Sequence, residues 1–274
     1  MKTIVIAPLL GVLSLLSVDA CAAGRAEVYI GPVQYKLVDL NTTDELAPTL
    51  QFSAGASSQR PSIASAFAGA NGIVSQQSTP DVNGDDIDFH ITLPPVEVRS
   101  TITGRSSPED LSISATSVVL DDIGTSRWNY ARAESYASFD FVLSANTQAV
   151  FSFDSRLIAV MDGQTPNRSE QAYASMSASA VIYDGGWTIG GSDWMMVISQ
   201  NVNPQDPNTD FDGVLTFTVA NTKPYEVSGT IGTIAITQAA VVSIEIPAVP
   251  EPGTYGMLLA GLGLVGFAAR RRKA

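Results

Sequence analysis

From about residue 26 to 247 the chain alternates apolar and polar positions in short runs rich in Val, Ile, Thr, Phe and Tyr, punctuated by Gly, Pro, Asn and Asp. Successive side chains of a strand point to opposite faces, so a period of two predicts strands with one packed and one wet face. Across Gln171 to Tyr183, the residues Ala172, Ala174, Met176, Ala178, Ala180 and Ile182 share one face, while Ser175, Ser177 and Ser179 share the other. The same rule groups Phe139 with Phe141 and Leu143, Ala149 with Phe151 and Phe153, and Leu215 with Phe217 and Val219. A long final run puts Ile234, Ile236, Val242, Ile244 and Ile246 together on its even face. Turn signals separate the runs at Asn71-Gly72, Asn83-Gly84, Asp162-Gly163, Asp184-Gly185-Gly186 and Asp212-Gly213.

About a dozen strands follow from this spacing, with no amphipathic helix longer than two turns. The expected fold class is all-β, an antiparallel β-sandwich or jelly-roll-like body. Ser53 to Gln77, rich in Ser, Ala and Gly, reads as a floppy insertion, and Asn201 to Thr209 as a polar loop. Gly104 to Pro108 interrupts the pattern, but too briefly to mark a domain boundary.

Both ends are written differently. Lys2 precedes an apolar run from Ile4 to Leu16, the charged and hydrophobic regions of an export signal, too short to span a bilayer. Small residues in Val18-Asp19-Ala20 and Ala20-Cys21-Ala22 allow cleavage after Ala20 or Ala22, so residues 1–22 are assigned to an N-terminal signal peptide. Cys21, the single cysteine, sits where a lipoprotein cysteine would, but Asp19 falls where such motifs carry a small uncharged residue, which argues against lipidation. Cleavage after Ala22 leaves a mature chain without cysteine, so burial alone must hold the exported domain. Residues 23–248 are long enough for one large domain with its own core.

At the other end, Val249-Pro250-Glu251-Pro252-Gly253-Thr254 leads into a glycine-rich apolar run from Tyr255 to Ala269, then Arg270-Arg271-Arg272-Lys273. A helix of about 16 residues reaches only about 25 Å, marginal for a bilayer core. The basic cluster behind it holds that end of a C-terminal transmembrane helix in the cytoplasm. Motif, helix and arginine cluster, in that order, resemble the PEP-CTERM sorting signal of Gram-negative bacteria that make exopolysaccharide. The resemblance covers residues 249–274 and rests on Pro250, Glu251 and Pro252, with Arg270, Arg271 and Arg272 closing the tail. It implies transient anchoring in the inner membrane, removal of the tail by an exosortase, and delivery to the cell surface or extracellular matrix. A weaker likeness to bodies that carry this tail rests on Val38-Asp39-Leu40-Asn41 with Asp44 and Pro48, Phe139 to Ser144, Thr147 to Phe153 and Phe217 to Asn221. It brings no activity with it.

Charge narrows the partners. The chain holds 15 basic and 27 acidic residues. Setting aside Lys2, Asp19, Arg270 to Arg272 and Lys273 leaves the rest close to −16 net. Such a field repels phosphate backbones, and no basic stripe interrupts it, so nucleic acid is excluded as a partner. Catalytic residues are not expected. Histidine occurs once, at His90, on the same strand face as Asp88, and no Gly-x-Ser-x-Gly elbow accompanies it. Asp85-Asp86, Asp121-Asp122 and Asp210 with Asp212 could pair as glycosidase acids, but each sits by a turn residue where Asp serves the local backbone.

Calcium is the better chemical candidate. Asp81, Asn83 and Asp85 place oxygen ligands at alternate positions, as do Asp206, Asn208 and Asp210. Neither run has the closing acid of an EF-hand loop, so each would need acids from elsewhere. No other cofactor is expected. Candidate sugar-stacking residues are Trp128, beside Asn129-Tyr130, with Trp187 and Trp194, although burial of so large a side chain favours the core. The expected function is thus a non-enzymatic exported protein with a structural or adhesive role in an exopolysaccharide biofilm. The alternatives are a carbohydrate-binding module for that polymer and, third, a carboxylate-dependent glycoside-active enzyme.

Overall fold

The computed structural model describes residues 22–44, 46–53, 63–70, 73–80, 86–120, 128–161, 168–184, 187–200 and 208–243, together with Leu262. Of the residues read as a signal peptide only Ala22 is among these, and of residues 249–274 only Leu262, which is helical. The chain divides into two compact units, Met1–Ser243 and Ile244–Ala274. Among the described residues no helix is long and apolar enough to cross a membrane.

The described residues of the first unit form 13 strands: β1 (Ala22–Asp39), β2 (Leu50–Phe52), β3 (Ile63–Ala70), β4 (Ile73–Pro80), β5 (Ile87–Leu93), β6 (Val96–Thr103), β7 (Ser112–Leu120), β8 (Trp128–Leu143), β9 (Thr147–Met161), β10 (Arg168–Asp184), β11 (Trp187–Gln200), β12 (Asn208–Asn221) and β13 (Val227–Ser243). They form two sheets. One has the order β12-β9-β1-β7-β6-β5, the other β11-β10-β13-β8-β3-β4, with β2 added beside β8. Every pairing is antiparallel.

The alternation read from the sequence sets which face is packed. Ala172, Ala174, Met176, Ala178, Ala180 and Ile182 are buried on β10, as are the Phe139, Phe151 and Leu215 groups. The two sheets share this core, which has two zones. At one end an aromatic chain runs from Phe52 to Phe141, Phe141 to Phe151, Phe151 to Phe217 and Phe217 to Phe153, with centroids 5.7 to 6.3 Å apart. Along β3, β8 and β13 many inward side chains are short: Ala64, Ala66, Ala68, Ala131, Ala133, Ala235 and Ala239 are all fully buried. Hydroxyls bridge the sheets there, Ser100 Oγ to Ser135 Oγ at 2.7 Å and Ser117 Oγ to Thr237 Oγ1 at 2.8 Å. Short side chains on both sheets are what permit such direct contacts.

The final run packs through its odd positions. On β13 the inward positions are Ile231, Thr233, Ala235, Thr237, Ala239 and Val241. Ile234, Ile236 and Val242 therefore lie on the outer face, while Ile244 and Ile246 fall outside the described residues. The stretch read as a floppy insertion is also corrected, since Ile63 to Ala70 and Ile73 to Pro80 pair as β3 and β4. Alanine at every second position of β3 is an inward face suited to the narrow zone, which its low hydrophobicity disguised. Ala70 opposes Ile73, so the hairpin joins through Asn71-Gly72 alone, and Asp184 opposes Trp187 across Gly185-Gly186. Asp212-Gly213, in contrast, is not a turn but mid-strand in β12. A Cβ on Gly213 would come within 2.7 Å of the Phe211 ring, so the glycine there makes room for an aromatic side chain. Gly104 to Pro108 is the connection from β6 to β7, adjacent strands of one sheet. Gly104 has φ +70°, and a Cβ there would meet the Asp110 carbonyl.

Candidate functional site

The outer faces of the two sheets differ in chemistry. On the six-stranded sheet, hairpin β5–β6 carries alternating charges. The Arg99 guanidinium donates to both oxygens of Asp88, at 3.0 and 2.8 Å, and His90 Nε2 lies 2.8 Å from Glu97 Oε1. The hydrogen bonds from Arg99 hold the Asp88 carboxyl below its usual range. Asp88 and His90 do share a face, as the strand period requires, and each is engaged by the neighbouring strand. Asp86 accepts a hydrogen bond from the Gly104 N–H at 2.9 Å. Asp210 and Asp212 are exposed on β12, opposite Ile158 and Arg156.

The other face is aromatic at one corner. Trp128, Tyr130 and Arg132 alternate outward along β8, with Asn129 and Ala131 buried beneath. Trp128 is 39 % exposed, which departs from the expectation of a core position. Strand parity decides this: Asn129 takes the inward position, and Gly69 across the strand pair leaves space outside. A Cβ on Gly69 would lie 2.5 and 2.8 Å from two carbons of the indole, so the ring rests directly over that glycine. Trp128 and Tyr130 are stacked, with centroids 5.5 Å apart and planes at 10°, and Phe67 meets Tyr130 edge-on at 5.5 Å. The Tyr130 hydroxyl donates to Gln238 Oε1 at 3.3 Å, and Arg132 pairs with Glu134 at 3.1 Å.

Trp187 and Trp194 lie on β11, opposite Asp184 and Ser177, whereas Trp128 is in register with Val242 and through it with Ser169. Ser169 and Ser177 are about 27 Å apart at ~3.4 Å per residue, so the three tryptophans occupy separate rows of the sheet. Of the calcium candidates, Asp81, Asn83, Asp85 and Asp206 lie outside the described residues, and Asn208 and Asp210 begin β12. Among the described residues no group of three or more His, Cys, Asp or Glu could hold a metal ion.

The loop fragments that resembled other bodies have structural work. Asp44 accepts from Asn41 Nδ2 at 3.1 Å, from Asn146 Nδ2 at 3.2 Å and from the Leu46 N–H at 3.1 Å. Asn146 itself adopts φ 50° in the β8–β9 turn. Sequence reading overlooked Phe67, Gly69 and Gln238. The alternation in Ala64-Ser65-Ala66-Phe67-Ala68-Gly69 was a usable signal for β3, but which strand lies beside Trp128 is a matter of topology.

The C-terminal segment is decided by comparison with known families. Residues 248–273 match the PEP-CTERM protein-sorting motif. The PEP-CTERM motif implies an exported protein, anchored transiently in the membrane and processed by exosortase. It covers Pro250, Glu251 and Pro252 and extends through Arg270, Arg271 and Arg272. No curated protein matches the chain.

Proposed function

We propose that this protein is delivered by its PEP-CTERM tail to the surface or extracellular matrix of a Gram-negative cell, where a β-sandwich body adheres to the exopolysaccharide of the biofilm. The observation that carries the adhesive reading is the outward aromatic corner at Trp128, with Tyr130 and Phe67 packed around it. Large aromatic groups left at a surface serve contacts better than they serve solubility. A carbohydrate-binding module is favoured by the same corner. The role is non-enzymatic: Asp88 is drawn into an exposed ion pair with Arg99, and His90 Nε2 contacts Glu97 Oε1 at 2.8 Å. Calcium bound by the runs Asp81-Asn83-Asp85 or Asp206-Asn208-Asp210, completed by acids elsewhere, would stabilise the folded body.

The test is retention. The mature protein should stay with the matrix of cells that make exopolysaccharide and appear in the medium of a strain lacking it. Equal retention on both strains would remove the adhesive role and leave only the sorting.

A further inference from the structure

We infer that the Trp128 corner is a stacking site for neutral pyranose chains, held in its working geometry by Gly69. This names the ligand class of the adhesive surface and rests on that reading. Three strands build the shelf. Gly69 on β3 opposes Tyr130 and Phe67 opposes Arg132; on the far side of β8, Val242 opposes Trp128 and Gln238 opposes Arg132. On β4, Val74 opposes Gly69 and Gln76 opposes Phe67. The centre is apolar, with Val74 57 % and Val242 37 % exposed, and the amides Gln76 and Gln238 stand at its rim.

A pyranose with equatorial hydroxyls has flat faces of C–H groups and an edge of hydrogen-bonding groups. Parallel aromatic rings receive the face, while amides, which both donate and accept, receive the edge. The Trp128 and Tyr130 rings are stacked, with planes 10° apart, so each braces the other and the outer face of the stack is the surface offered to a sugar. Charge selects among polysaccharides. Glu134 pairs with Arg132, the cation on this shelf among the described residues, and the chain without its terminal charges is close to −16 net. An anionic polymer meets repulsion that nothing on the shelf offsets, whereas a neutral one does not.

Gly69 is a positioning residue. A methyl group there would stand 2.5 Å from the indole, closer than carbon atoms approach, and would push the ring off the sheet without deleting any aromatic residue. Binding is measured with the mature protein by calorimetry and affinity electrophoresis, using hydroxyethyl-cellulose as the neutral probe and polygalacturonate as the anionic one. Wild type should bind the neutral probe alone. Trp128→Ala should weaken that binding at least tenfold, Trp128→Phe less, and Gly69→Ala by severalfold, with melting curves and circular dichroism showing that the variants fold. A folded Trp128→Ala protein that binds the glucan like wild type, or a wild type that binds neither probe, would overturn the site. Trp128-dependent binding of polygalacturonate would overturn the neutral class. Retention of Trp128→Ala in the native matrix would leave the adhesive reading standing while removing this shelf from it.

Discussion

Asn221 offers a sensitive test of how the loops at one end of the sheets are held. Its side chain is fully buried at the end of β12. The Nδ2 group faces the carbonyls of Ser144 at 2.9 Å, Tyr225 at 2.8 Å and Leu143 at 3.3 Å, while Oδ1 accepts from the Lys223 N–H at 3.0 Å. One amide thereby joins the β8–β9 turn to the β12–β13 loop. A hydrogen bond contributes about 1 kcal/mol net, and a buried group left unmatched costs about 1–3 kcal/mol. Asn221→Ala strands an N–H and at least two carbonyls, but Tyr225 is half exposed and its carbonyl can be rehydrated. A loss of about 3 kcal/mol is expected, which lowers Tm by about 10 °C at ~2–4 °C per kcal/mol for a domain of this size. Asn221→Asp is the sharper variant, because it keeps the acceptor for Lys223 but turns a second oxygen toward carbonyl oxygens. Burial and those acceptors favour the protonated acid and raise its folded pKa above the unfolded value. The folded state then binds more protons, so this variant loses stability as pH rises from 4 to 7. Thermal unfolding of both variants across that range decides it. A Tm within 1 °C of wild type for Asn221→Ala, or a pH-independent deficit for Asn221→Asp, would refute the reasoning.

Four further outcomes are expected. Asp88 has a lowered folded pKa, so its pairing with Arg99 stabilises the fold above the ordinary carboxyl value and is lost as pH falls through the folded one; Asp88→Asn should flatten the acid limb of a Tm–pH curve by well under ~1 kcal/mol, because the pair is exposed. Millimolar calcium should raise the Tm above that in chelator if either Asp/Asn run binds it, and coincident melting curves would count against both. His90→Ala should leave phenotype and fold intact, with no esterase or peptidase turnover to lose; a turnover abolished by this substitution would establish an enzyme. In a host with the matching exosortase, Glu251→Ala or deletion of Arg270 to Lys273 should leave the precursor retained or mislocalised. Mass spectrometry of the wild-type surface fraction should then find no peptide running through Tyr255 to Lys273.

The sorting motif was legible in the linear chain, because Pro250-Glu251-Pro252, the apolar run and the arginines form one local string, within the matched residues 248–273. Strand identity was legible for the same reason: alternation in β8, β9, β10 and β12 is a property of neighbouring residues, and it correctly assigned the buried faces of Phe139, Phe151, Met176 and Phe217. Hydrophobicity misled where the sheets approach closely. There Ala64, Ala66, Ala133 and Ala235 supply much of the core, so β3 looked like a linker, and on β13 Ala235 and Thr237 are buried while Ile234 and Ile236 share the outer face. The aromatic corner was out of reach of any local rule. Trp128 faces outward in alternation with the buried Asn129, and the edge of its ring occupies space that β3, some 60 residues earlier in sequence, leaves open by bringing Gly69 there. Periodicity determines which residues share a face, but only the order of strands in the sheet determines which faces meet.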